Sequence, residues 1–219
     1  MKKSTLLLWV ILCLIVYFGL NYYGGVWGRR AIYPLRLLVT FFHELGHALA
    51  AVITGGSVDS VQINADGSGW TRSSGGNRAI IIFGGYFGSA LFGNMLFYMG
   101  ARGGKLVKPT VWIICVLMLL TAVYWFNSLF TSAVLTLFAI VLYFISQKTK
   151  WANIVLLFLG LISIVYIIQD FNVGPRSDLE AYADEIGIFS PELWMYIWLF
   201  IVVLLCFWNF QYLLRRKPK

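Results

Sequence analysis

Three residues on one short stretch could do chemistry together: His43, Glu44 and His47, within F-F-H-E-L-G-H-A-L-A-A (41–51). On a helix, positions i and i+4 lie on one face. His43 and His47 can therefore grip one metal ion, with Glu44 beside them facing an attacking water. This is the H-E-x-x-H arrangement of zinc hydrolases. His43 and His47 are the two histidines of the whole chain. The run around them, about Ala31 to Thr54, is otherwise almost wholly apolar. Ionisable groups inside such a run are costly in lipid and mark a functional site by default. Two histidines and a glutamate satisfying one another between packed helices is the bland alternative. Packing alone would favour apolar residues there.

The elements that must position these residues are membrane helices. The chain has 219 residues, of which 60% are hydrophobic and 12% charged, and a mean hydropathy of +0.79. That composition excludes a soluble domain of this size and predicts an all-α polytopic membrane protein. The whole chain, 1–219, is expected to form a single integral-membrane domain. The net charge of +8 does not imply nucleic acid. The basic residues fall in short clusters between apolar runs, as topology signals facing anionic lipid do. Cys13, Cys115 and Cys206 each sit in a separate apolar run, so no disulfide framework or zinc knuckle is expected.

Along the chain, Lys2 and Lys3 precede a long apolar run. It is longer than a usual signal-peptide core and no A-x-A-like cleavage site follows, so it reads as a first span, Thr5 to Tyr23. A loop from Gly24 to Arg30 leads to the second span, about Ala31 to Thr54, with Pro34 near its start. Gly55-Gly56 ends that helix. Val58 to Ile63 and Ser68 to Arg72, joined by the turn Ala65-Asp66-Gly67, predict a short β-hairpin at the membrane surface, with Val61 and Ile63 on one face. The hairpin is either a plain surface loop or an edge that pairs with an unwound substrate.

The third span, Ala79 to Met99, repeats small residues at Gly84, Gly85, Gly88, Ser89 and Gly93. Such faces let membrane helices approach closely, and the metal helix is the obvious neighbour. Asn94 can hydrogen-bond an adjacent helix or a substrate carbonyl. Thr110 to Ser146 is too long for one helix and is interrupted at Asn127-Ser128, so it reads as two. Trp151 to Gln169 and Glu192 to Leu214 complete about seven spans. With the N-terminus outside, 12 of the 17 basic residues fall on the inner side. A six-span alternative splits them 10 to 7, so the positive-inside rule prefers seven.

A catalytic zinc takes three protein ligands and keeps one position open. No third histidine exists, so the third ligand is a carboxylate or, failing that, a cysteine. Six of the nine acidic residues lie between Asp170 and Glu192, a segment that returns to the side where the metal helix ends. Asp178 starts a helical pattern after Gly174-Pro175. It can be a helix cap or a ligand, and Asp170 is a second candidate ligand. The segment is also the expected wall of a water-filled cavity.

Beyond these residues, H-E-L-G-H-A-L-A-A-V-I-T-G-G (43–56), G-S-G-W-T-R-S-S-G-G-N-R (67–78) and G-G-Y-F-G-S-A-L-F-G (84–93) resemble the compact site-2-protease-like intramembrane zinc metallopeptidases. Ser177-Asp178-Leu179-Glu180-Ala181-Tyr182-Ala183 through Gly187-Ile188 is similar to that family's late S-D-x-x-x-L-A-x-x-T-G-I motif. It departs at Tyr182, where leucine is usual, and at Ile186, where threonine is usual. The resemblance implies one catalytic Zn2+ held by His43, His47 and Asp178. It implies Glu44 as the general base and a membrane-embedded protein or peptide as substrate. The expected setting is the lipid bilayer of a bacterial plasma membrane. A non-proteolytic zinc-binding membrane scaffold is the alternative from another class. An intact Glu44 argues against it, because pure metal binding needs no base. A metal transporter would show polar residues on several spans, and a di-iron enzyme would need many more histidines.

Overall fold

A computed structural model of the chain describes residues 3–215. The helices are α1 (Lys3–Phe18), α2 (Gly25–Ile53), α3 (Arg78–Arg102), α4 (Val107–Tyr124), α5 (Leu129–Ser146), α6 (Thr149–Gln169), α7 (Asp178–Ile186) and α8 (Pro191–Arg215). A π-helical turn, Gly19–Tyr23, prolongs α1. Strands β1 (Ser57–Ile63) and β2 (Gly69–Ser74) form an antiparallel hairpin between α2 and α3. Seven helices are long and apolar enough to cross a membrane, all but the nine-residue α7. The protein is thus a polytopic helical membrane protein of about seven spans, and Thr110 to Ser146 does divide in two. Ser128 makes the break, accepting a bond from the Thr131 amide as the cap of α5.

One expectation is corrected. The stretch Gly24 to Arg30 is not a loop, because α2 already begins at Gly25 and Pro34 lies inside it. An interior proline is tolerated in a membrane helix where neighbouring groups re-satisfy the freed carbonyl. The expected hairpin forms, and it runs back alongside α2. The Tyr33 hydroxyl donates to the Ala65 carbonyl at 2.6 Å, and Thr40 to that of Gly67 at 2.7 Å. Tyr33 lies 20 residues before the end of α2, about 30 Å at 1.5 Å per residue. The physical reason is apolar: Val61 and Ile63 are fully buried, Ile63 in the core that α2, α4 and α5 share, and the edge of β1 meets the α4–α5 corner. There the Val61 amide donates to Trp125 at 3.1 Å and the Ile63 amide to the Thr131 hydroxyl at 3.0 Å. These bonds occupy the outer edge of β1. The outer edge of β2 faces the other way.

Helix α3 is the centre of the bundle, packing most extensively on α6 and α2. Its small residues permit that. A Cβ on Gly84 would lie 2.7 Å from the Gly46 carbonyl oxygen of α2, and one on Gly88 2.8 Å from the Gly46 Cα. On the α6 side, a Cβ on Gly160 would lie 2.6 Å from the Gly93 carbonyl. The small-residue spacing of α3 therefore serves close approach to two helices at once. Asn94 bonds a neighbouring helix: its amide donates to Cys206 Sγ at 3.3 Å, and Asn209 of α8 donates to its Oδ1 at 3.0 Å and its carbonyl at 2.8 Å.

Candidate metal centre

The site is built where α2, α3, β2 and the start of α7 meet. His43 and His47 lie on one face of α2, as their spacing dictates. Their Nε2 atoms are 3.0 Å apart. The Asp178 Oδ2 lies 2.9 Å from His43 Nε2 and 3.2 Å from His47 Nε2. Among the described residues these three form the one His/Cys/Asp/Glu group whose donor atoms lie within 4.8 Å of one another. Donors about 2.0–2.1 Å from a tetrahedral ion stand about 3.3 Å apart, so this triangle fits a metal ion with little adjustment. Burial raises the Asp178 carboxyl, but hydrogen bonds from the two imidazoles outweigh it and hold the group well below the usual carboxylate range.

The orientation of each donor is fixed from behind. His47 Nδ1 is 2.7 Å from the Ile81 carbonyl in the first turn of α3. That leaves Nε2 free to face the centre, the arrangement metal-binding histidines use. The His43 ring sits edge-on to Tyr86, with centroids 4.9 Å apart. Tyr86 in turn stacks on Phe171 at 4.5 Å and donates to the Asp170 carbonyl at 3.2 Å.

Asp178 opens α7 but does not cap it. Ser177 is the cap, accepting from the Glu180 amide at 3.2 Å, which frees the Asp178 carboxylate to turn toward the histidines. Helix α7 is docked by Leu179, which is fully buried, and by Tyr182. The Tyr182 ring stands edge-on to Trp194 and Trp198 of α8, each with centroids 4.8 Å away. Tyr182, where the sequence departs from the motif it resembles, thus packs an aromatic wall on α8 without disturbing Asp178.

Glu44 is buried, with 4% of its surface exposed. Its carboxylate accepts from the Thr71 hydroxyl of β2 at 2.8 Å, and the same hydroxyl lies 3.0 Å from the Glu44 carbonyl. A Cβ on Gly69 would come within 2.7 Å of Glu44 Oε1. A cavity of about 430 Å³ opens beside the group, lined by His43, Glu44, His47, Trp70, Thr71 and Asp178 among others. A second, of about 150 Å³, continues past Glu44 toward Thr40, Ser68 and Tyr166. The segment 170–178 walls the larger one through Asp170, Asn172, Arg176 and Ser177, as its polarity predicted. Asp170 lines both cavities, but its side chain bonds neither histidine.

Sequence reasoning missed three positions: Thr71, Gly69 and Gly85. The spacing that made Gly85 look like a packing glycine concealed a second role. A Cβ there would lie 2.6 Å from His43 Nε2 and would collide with His47 Nε2. The segment G-S-G-W-T (67–71), part of the stretch whose sequence resembles the site-2-protease-like family, was the available signal for Gly69 and Thr71.

The family model for Peptidase M50B-like proteins matches residues 7–209. The chain belongs to the Peptidase M50B-like family. That membership agrees with the site-2-protease-like resemblance of its motifs. It covers the chain from α1 to α8, so the site lies wholly within the matched region. No curated protein and no solved structure matches the chain.

Proposed function

We propose that this M50B-like peptidase is an intramembrane zinc metalloprotease, one domain over residues 1–219, acting in the cytoplasmic membrane of a bacterium. The observation that carries the reading is the convergence of His43, His47 and Asp178 beside a buried Glu44 that Thr71 holds in place. The donor set of two imidazoles and one carboxylate suits zinc and leaves an open position toward the cleft. When bound, zinc supplies Lewis acidity there, acidifying water and polarising a carbonyl.

The chain's own residues do the rest. Glu44 takes a proton from the attacking water onto a carboxylate oxygen, and then returns it to the leaving amine nitrogen as the C–N bond breaks. The Thr71 hydroxyl fixes which way that carboxylate faces. The substrate is a membrane-embedded protein or peptide whose scissile segment has unwound, since helix amides are closed off by their own hydrogen bonds. The free outer edge of β2, at Gly69 to Thr71, suits an extended strand laid along the cleft. A zinc-binding scaffold would have no use for a buried, oriented Glu44, which supports the peptidase reading over it.

Glu44→Gln tests this. It keeps the volume and the Thr71 contact while removing the base. Cleavage of a model transmembrane peptide should fall by at least about 100-fold, the low end of what positioned acid–base catalysis contributes, with bound zinc unchanged. Undiminished turnover would sink the assignment.

A further inference from the structure

The fold and the basic residues together bear on which way the cleft faces. The hairpin, the start of α3, the α4–α5 corner, the segment 170–190 and the start of α8 lie on one face of the bundle, by the alternation of the seven spans. The metal centre belongs to that face. His47 is level with Ile81, three residues into α3 and so about 5 Å from its start at 1.5 Å per residue. Helix α6 ends at Gln169, immediately before Asp170 in the cleft wall. Asn172 and Arg176 in that wall are exposed.

The opposite face carries Arg29, Arg30, Arg102, Lys105, Lys108, Lys148, Lys150 and Arg215, eight basic positions at span ends or in turns. Arg216, Lys217 and Lys219 follow in sequence. The cleft face carries Lys3, Arg72, Arg78 and Arg176, and Lys2 precedes Lys3 in sequence. Arg36 belongs to neither count, because it lies within α2 beside the hairpin turn at Gly67. Every connecting segment is short enough for the positive-inside rule to apply, and the rule counts lysine and arginine rather than net charge. It puts the eight-charge face in the cytoplasm.

We propose that the metal cleft opens to the extracytoplasmic side of the membrane. Resting on the peptidase reading above, this defines the substrate class. Substrates are membrane proteins whose cut bond lies at the outer end of a membrane segment, and the product leaves outward. A segment unwound only at its cytoplasmic end would not reach Glu44.

The test uses the full chain in intact cells. Glu185→Cys on exposed α7 and Lys105→Cys in the α3–α4 turn are each labelled with a membrane-impermeant maleimide. The wild-type signal, from Cys13, Cys115 and Cys206, is subtracted. Glu185→Cys should label in intact cells and Lys105→Cys only after permeabilisation. The reverse pattern, or both labelling from one side, overturns the proposal. In parallel, a single-span reporter tagged at both ends is co-expressed with wild type or Glu44→Gln. A Glu44-dependent fragment should appear outside, and its appearance only in the cytoplasm also overturns the proposal. Correct labelling with no Glu44-dependent cleavage would leave the orientation standing and remove the peptidase reading.

Discussion

The local sequence leaves Asp178 two readings, because an aspartate at a helix start can cap the helix or bind an ion. The fold separates them by giving the cap to Ser177. Asp178→Ala should therefore leave α7 nearly intact while stripping the site. We expect zinc affinity to fall by more than the ~10–100-fold that losing a group which merely orients a ligand costs, with cleavage lost. Asp170→Ala should keep zinc stoichiometry, because the Asp170 side chain bonds neither histidine. Measuring zinc content and turnover for both variants decides between them. Full zinc in Asp178→Ala with loss in Asp170→Ala would reverse the roles. At this scale the sequence was informative where spacing alone defines geometry, as for His43 and His47. Spacing said nothing of Thr71, whose partner Glu44 lies 27 positions away.

Helices α2 and α3 meet where neither has a side chain to spare. Gly46 faces Gly84 and Gly88, and one position along, Gly85 faces the two imidazoles. Gly85→Ala should push a methyl into His43 and His47 at the point where their donor atoms converge. Overpacking of this kind costs about 1–3 kcal/mol, and here the strain falls on the metal site. The expected result is weakened zinc binding and loss of activity with helix content unchanged by circular dichroism. Wild-type zinc affinity in this variant would show that α3 can retreat. The hairpin teaches the same lesson. Alternation of Val61 and Ile63 revealed strands and a buried face, but the partners of the β1 edge are Trp125 and Thr131 at the α4–α5 corner, 60 or more residues away. A strand pattern reports that a face is buried and not what buries it.

Across the whole molecule, α8 returns to the bundle beside α3, where Trp198 and Val202 pack on it and a second, polar tie lies further along. Asn209 donates to Asn94 twice and Cys206 accepts from it. In lipid these bonds replace no hydrophobic attraction between helices, and each is worth roughly 0.6 kcal/mol, up to ~1.7. Asn209→Leu removes two donors, so unfolding free energy in mixed micelles should drop by about 1–3 kcal/mol. Zinc content and turnover should persist, since no metal-site residue contacts Asn209. Unchanged stability would mean that packing alone holds α8.

The sequence by itself determined the membrane class, the number of spans and the face of α2 that carries the histidines. Each follows from local regularities: apolar run length, charge clusters and the 3.6-residue period. The basic residues also carry the orientation proposed for those spans, because the positive-inside rule reads short loops. What the tertiary structure decided was every contact between distant segments. Thr71 reaches Glu44, Gly85 clears space for two imidazoles, and the hairpin turns in along α2. Asp178 meets His43 across 135 positions. Such pairings arise because burying apolar faces such as Leu179 and Ile63 selects one arrangement of helices, and the polar groups carried with them then meet. No pattern within a single segment encodes that choice.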